Sequence, residues 1–283
     1  MLFGILCVVA GLASAATCYF TDAFYSKLWM WLLPVSYIGS FLALLILCFL
    51  FLLIVCALID PDKPREKDSK WFRRMVLWYI DLILTILPVK LHTHGLEKMP
   101  EDGRFLLVSN HIHDIDPGVL MHCFPKQDIA FVAKQEAKHM IILRKVLPKL
   151  MCMYINREND REALKTILQA IKLIKEDTLS VGIFPEGRIN AYRKLAHFRP
   201  GVFKIAQKAK VPIVVCTLQN NQYVLKNVLK LKKTHIHVHL LDVIPVEEVQ
   251  ETNTVDLADR IYKMMADDLG PDLVLTPEEE ENA

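Results

Sequence analysis

Residues 1–59 contain only two charged side chains, Asp22 and Lys27, and this constrains the chain more than any other feature. The remaining 224 residues carry 64 of the 66 charges, an ordinary density for a soluble domain. A hydrophobic content of 53% and a mean hydropathy of +0.26 therefore average two unlike parts. Leu2–Phe20 is a charge-free stretch of 19 residues, and Trp31–Ile59 is another of 29. A helix crossing a bilayer needs about 20 apolar residues, so both stretches suffice as spans. Ala13-Ser-Ala15 would suit a signal cleavage site, but no Lys or Arg precedes the first run.

The segment Asp60–Arg74 carries six basic residues immediately after the second run. The positive-inside rule then places it, and everything beyond it, in the cytoplasm. The expected location is a multi-pass protein of the cell membrane with a cytoplasmic C-terminal domain. Residues 60–277 hold 33 Lys+Arg against 27 Asp+Glu. That mild excess suits an anionic membrane surface better than nucleic acid, for which no recognition motif is present. Seven cysteines in no C-x-x-C pair argue for reduced thiols rather than a disulfide framework or a zinc knuckle.

The pattern predicts a membrane anchor over 1–60, a basic juxtamembrane segment with an interfacial helix over 61–95, a soluble domain over 96–277 and an acidic tail over 278–283. The Met75–Leu91 run contains Asp81 and Pro88 and follows Trp71, Phe72, Arg73 and Arg74. It reads as a helix lying on the membrane surface, and a core helix of the soluble domain fits its length equally well. From residue 104 onward, short apolar runs alternate with amphipathic ones. Strands are expected at Phe105–Ser109, Asp128–Ala133, Met151–Ile155, Leu179–Phe184, Pro212–Leu218 and Ile236–Leu241. Helices are expected at Arg161–Glu176, Val202–Ala209 and Asp256–Leu269. Such alternation implies an α/β domain whose largely parallel central sheet is flanked by helices, with transmembrane helices preceding it. In such sheets, chemistry lies beyond the carboxyl ends of the strands.

Two strand ends carry chemistry. After Phe105–Ser109 comes Asn110-His-Ile-His-Asp-Ile-Asp-Pro117, with Asp116 at an expected helix cap. Across a strand-to-helix turn, the His111 and Asp116 side chains can meet. A carboxylate on one imidazole nitrogen fixes the tautomer and leaves the other nitrogen as a general base. Two other readings of the loop stand beside this one. His111, His113, Asp114 and Asp116 supply four possible metal ligands, as a membrane-anchored metallohydrolase would need, or His111 is held by backbone and Asp116 is a plain cap. After Leu179–Phe184 comes Phe184-Pro-Glu-Gly-Arg188, where Glu186 and Arg188 project from a turn and an Arg fork suits a phosphate. Lys134, Arg157 and Arg199 also follow strands or precede a helix start, giving a cationic surround for a phosphorylated substrate. His235, His237 and His239 share one strand face and read as its polar side rather than as a metal patch.

Four ordered blocks resemble those of the glycerolipid acyltransferase family, whose best-known members are 1-acylglycerol-3-phosphate acyltransferases. Asn110-His111 to Asp116-Pro117 matches the His-x-x-x-x-Asp block, and Phe184–Arg188 matches the third block. Tyr154-Ile-Asn-Arg157 and Val211-Pro-Ile-Val-Val215 resemble the second and fourth. The resemblance covers Leu96–Ile244. Met151-Cys-Met stands where the second block often has Gly, and Val215 stands where a second Pro is common. The resemblance implies acyl transfer from acyl-CoA or acyl-carrier protein, as co-substrate, to the hydroxyl of lysophosphatidate or another lysophospholipid. It implies no metal and no bound cofactor. His111 would be the base and Asp116 its orienting partner. Glu186, Gly187, Arg188 and Arg157 would bind the glycerol phosphate, with Lys134 and Arg199 added from charge and placement. An inactive lipid-binding protein that kept the fold is a third reading, against which the intact His111 and Asp116 argue.

Overall fold

The computed structural model describes residues 2–63, 67–156 and 159–281. It begins with a helical hairpin, α1 (Leu2–Phe20) and α2 (Trp29–Ala57). Leu6, Ala10, Ser14 and Cys18 recur every four residues and form the buried stripe of α1. Small residues there let the helices approach closely. Ser14 satisfies its hydroxyl across the hairpin, donating to Leu33 O at 2.7 Å, and its Oγ lies 2.7 Å from Ser36 Oγ. On α2, Val35, Ile38, Leu42, Ile46, Leu47, Phe49, Leu50, Phe51 and Ile54 are exposed. The two helices match the predicted runs in length and apolar character.

α3 (Lys70–Ile86) follows, capped by Ser69 Oγ, which accepts from Phe72 N. This helix covers most of the run expected at Met75–Leu91 and packs as the core-helix reading of that run requires. Its Phe72, Arg73, Met75, Val76, Leu82 and Leu84 are buried, many of them in the apolar layer on one face of the central sheet. Arg73, expected at a membrane surface, is 4% exposed. Its guanidinium grips Asp68 at 2.7 and 3.2 Å and donates to Ile129 O and Leu150 O at 2.9 and 3.1 Å. Only one side of α3, with Trp71, Trp78, Ile83 and Ile86, stays exposed. The helix also stops at Ile86, and β1 (Val89–His94) joins the central sheet. The α/β unit thus starts before residue 96, because α3 and β1 complete its core and its edge.

The remaining elements run in chain order as β2 (Leu106–Ser109), α4 (Asp116–Cys123), β3 (Ile129–Lys134), α5 (Leu143–Lys149), β4 (Met153–Ile155), α6 (Asp160–Lys175), β5 (Ser180–Ile183), α7 (Lys204–Ala209), β6 (Ile213–Gln219), α8 (Val224–Leu229), β7 (Thr234–Ile244), α9 (Val246–Glu251), α10 (Thr254–Leu269) and α11 (Pro277–Glu281). Asn159 and Asn253 cap α6 and α10 by accepting two backbone N–H groups each. The helix expected from Val202 divides into a short 3-10 turn at Pro200–Phe203 and α7. The seven-stranded sheet has the order β1-β7-β6-β2-β5-β3-β4. All neighbours are parallel except β6 and β7, whose antiparallel ladder carries an irregularity at Val215/Cys216. Alternation along the strands builds two cores. Leu106, Val108, Ile213 and Val215 face α6, α7 and α10. Phe105, Leu107, Val214 and Cys216 face α3, α4 and the end of α2.

The acidic tail is not a free appendage. Leu195 N donates to Leu273 O at 2.8 Å and Leu275 N to Leu195 O at 3.0 Å. Lys194 Nζ lies 2.8 Å from Glu279 Oε1, and His197 pairs with Glu280. The C-terminus therefore packs on the loop that follows Phe184–Arg188.

Candidate active site

β2 and β6 run parallel, and Asn110 locks their carboxyl ends together. Its Nδ2 donates to Leu218 O at 2.9 Å, and its Oδ1 accepts from Leu218 N at 2.7 Å. The chain then turns sharply, and Asp116 opens α4 at its first helical position rather than at the cap, which is Ile115. From there the carboxylate faces back into the turn. Its Oδ2 accepts from Ile112 N, His113 N and His111 Nδ1 at 2.7, 2.8 and 2.9 Å, and its Oδ1 accepts from Asn221 Nδ2 at 2.7 Å. Asp116 is wholly buried, whereas the His111 side chain keeps 14% exposure. An acceptor-only carboxylate at Nδ1 assigns the ring proton to that nitrogen and leaves the Nε2 lone pair available.

Two further contacts hold the imidazole. Its ring stacks on Phe184 with centroids 4.1 Å apart, and Phe184 stacks in turn on Phe131 at 5.9 Å. Gly182 makes room for this column, since a Cβ there would lie 2.4 Å from the Phe131 ring. Glu186 is 5% exposed and spans two loops. Its Oε1 accepts from His111 N at 2.7 Å and its Oε2 from Ala196 N at 3.0 Å. Burial pushes its carboxyl up to about 8, against the opposing pull of the two N–H donors. Each carboxyl oxygen thus accepts one backbone N–H, so Glu186 holds the His111 backbone in place.

Gly187 adopts φ +82°, and the Arg199 guanidinium stem crosses it, with Nε 3.0 Å from where a Cβ would stand. Arg199 N donates to Pro185 O at 2.9 Å. The structure therefore brings Gly187, Arg188 and Arg199 together, with both arginine side chains exposed. Lys134, at the end of β3, reaches Asp114 of the His111 loop at 3.3 Å. Arg157 lies outside the described residues. Sequence reasoning missed Arg193 and Asn221. Arg193 donates to Ile112 O at 2.9 Å, backing the turn that carries His111. Asn221 follows β6 and reaches Asp116 across 105 positions, a contact no local pattern signals.

The donors of the alternative metal cluster are directed elsewhere. His113 Nδ1 accepts from Ile115 N at 3.3 Å, burial lowers the pKa of its ring, and Asp114 pairs with Lys134. The histidine row is longer than expected, because β1 adds His92 and His94 beside His237 and His239. His92 Nε2 lies 2.8 Å from His235 Nδ1, and His239 pairs with Asp268 at 2.9 Å. Among the described residues, no group of three or more His, Cys, Asp or Glu is disposed to hold a metal ion.

Comparison with known proteins accords with this geometry. The Acyltransferase family model matches residues 90–219, which contain both loops. The 1-acyl-sn-glycerol-3-phosphate acyltransferase of Borreliella burgdorferi is 30% identical over 191 residues, covering 66% of this chain and 76% of that protein. The chain belongs to the glycerolipid acyltransferase family. Another acyltransferase relative, the human 1-acyl-sn-glycerol-3-phosphate acyltransferase alpha, is 24% identical over 222 residues, covering 76% of this chain and 75% of that protein. The fold matches the crystal structure of the 1-acyl-sn-glycerophosphate (LPA) acyltransferase PlsC from Thermotoga maritima with a TM-score of 0.54 at 19% identity, over 75% of this chain and 86% of that one. The family match spans both strand-end loops, Asn110–Pro117 and Phe184–Arg188, which Glu186 joins through the His111 backbone.

Proposed function

We propose that this acyltransferase is membrane-bound and moves an acyl group from acyl-CoA or acyl-carrier protein to the free hydroxyl of lysophosphatidate, giving phosphatidate for phospholipid synthesis. The observation that carries this reading is the His111–Asp116 pair at 2.9 Å, with Nε2 left open. In this reading Nε2 takes the acceptor's hydroxyl proton as the oxygen attacks the thioester carbonyl. Asp116 steadies the imidazolium. Collapse of the tetrahedral intermediate breaks the C–S bond, and the departing thiolate takes the proton back from His111. No nucleophile on the protein is needed.

Glu186 acts by position, holding the His111 backbone. Arg188, Arg199 and Lys134 form the cationic surround of the acceptor phosphate, to which the resemblance adds Arg157, and Gly187 lets Arg199 lie across the turn. The relatives' names support lysophosphatidate as acceptor. The two apolar helices support anchoring in the same bilayer as the acceptor, and the basic residues after α2 support a cytoplasmic catalytic domain.

The test is to supply purified protein with acyl-CoA and a panel of lysophospholipids, with and without chelator, and to follow products by mass. Phosphatidate from lysophosphatidate, undiminished by chelator, is the expected result. Acylation of a different lysophospholipid alone would reassign the acceptor, and a strict metal requirement would overturn the mechanism.

A further inference from the structure

The connection between β6 and β7 carries an exposed apolar tip that the folded domain does not use. Leu225, Leu229 and Leu231 are 58%, 87% and 96% exposed. Leu231 also sits in the left-handed region, at φ +53°. The turn around it is fixed, since Leu231 N donates to Val228 O and Lys232 N to Asn227 O. A leucine gains nothing from that conformation, which suits glycine, and here its side chain is held out into solvent. Lys226, Lys230, Lys232 and Lys233 surround it, all exposed, and no carboxylate stands between Val224 and Thr234.

Placement in the fold gives this tip a plane. It leaves the carboxyl end of β6, the end at which Asn110 and Leu218 are joined, and its base is Asn221, which holds Asp116. On the other side of the catalytic turn, the chain leaving the carboxyl end of β3 exposes Ile141 at 81%, just before α5. Lys145 of α5 donates to Ile59 O at the foot of α2. Thr234 N donates to Pro88 O, just beyond the exposed Ile83 and Ile86 of α3. Apolar tips with basic flanks thus stand on both sides of the catalytic turn, tied to the elements that continue the anchor. Apolar side chains ringed by lysine fit the headgroup region of an anionic leaflet.

We propose that Leu225–Lys233 is a membrane-docking element of the catalytic domain itself. It inserts Leu229 and Leu231 among the headgroups and acyl ends of an anionic leaflet, and so presses the mouth of the active site onto the surface that holds the acceptor. This rests on the membrane-bound acyltransferase reading above. This contact is made by the catalytic domain and is separate from the α1–α2 hairpin.

The test uses the full-length protein reconstituted in phosphatidylcholine vesicles with or without phosphatidylglycerol. An environment-sensitive dye on Leu231→Cys, read against the unsubstituted protein labelled in parallel, should show blue-shifted emission shielded from aqueous iodide, more so with phosphatidylglycerol. Leu231→Gly relieves the turn, so its thermal midpoint should hold or rise. Yet its kcat/KM on long-chain, bilayer-embedded acceptor should fall roughly tenfold, the scale of one leucine withdrawn from an apolar phase, with turnover of a short-chain, freely soluble acceptor unchanged. A water-like, iodide-accessible dye in both vesicle types would overturn the proposal. Equal losses on both acceptors would also overturn it, because they would mark Leu231 as structural. The dye readout needs no turnover, so failure of the acyltransferase reading would show separately, as absence of product.

Discussion

His111 is held from four directions: Asp116 at its Nδ1, Glu186 at its backbone N–H, Phe184 against its ring face and Arg193 on the carbonyl of the next residue. Of these, Glu186 is the most exposed to question by mutation, because it is buried and touches only backbone. Glu186→Gln keeps one acceptor oxygen and turns an NH2 group toward the other N–H. Loss of one backbone hydrogen bond implies a fall in kcat of up to about tenfold, with KM for the acyl donor little changed. The same change has a pH signature. A carboxyl raised to about 8 binds its proton more readily folded than unfolded, so it lowers stability progressively as pH rises from its unfolded value toward 8. The wild-type thermal midpoint, measured relative to that of Glu186→Gln in detergent, is therefore expected to decline between about pH 5 and 8; a difference independent of pH would refute that linkage. Gly182→Ala acts from farther away. Its Cβ displaces Phe131, and through the ring column it tilts His111. A loss of kcat without a matching change in KM is the outcome to look for, together with about 1–3 kcal/mol of overpacking cost.

At the scale of elements, α3 ties the domain together through a residue whose partner the sequence did not disclose. Arg73 joins the N-terminus of α3 to the start of β3 and the end of α5 through Ile129 O and Leu150 O. Removing one partner of a buried, hydrogen-bonded pair costs about 3–5 kcal/mol, because the other charge is left stranded. Arg73→Met should accordingly lower the unfolding free energy by that order, and Arg73→Met with Asp68→Leu should recover part of the loss; a double variant no better than the single would show that the pair is not the cause. The strands β2 to β6 were legible because each is a short apolar run bounded by turn residues. β1 was not, because Val89–Leu91 continues the apolar run of α3, while the alternation of Lys90, His92 and His94 with Leu91 and Thr93 is too short to separate from it. The burial of Arg73 was equally hidden, since a sequence shows a charge but not its partner. The His111–Asp116 pairing was legible from spacing across a strand-to-helix turn. The Asn221 contact was not, because it depends on β6 lying beside β2.

Across the whole molecule, two apolar helices precede a seven-stranded α/β domain, and the turn that pairs His111 with Asp116 lies at the carboxyl end of β2. The orientation of the domain is open to direct test. A protease-sensitive tag at the C-terminus should survive protease in intact cells and be cleaved in inside-out vesicles, and the reverse pattern would place the domain on the other side. The claim that joins every scale is that His111 removes the acceptor's proton directly. The measurement that tests it is single-turnover acyl transfer from acyl-CoA to lysophosphatidate by wild type and His111→Ala, with phosphatidate followed by mass. Positioned general-base catalysis contributes about 10²–10⁴-fold, so the variant should lose at least a hundredfold in the transfer step while retaining its thermal midpoint. Transfer by His111→Ala at the wild-type rate would contradict the account.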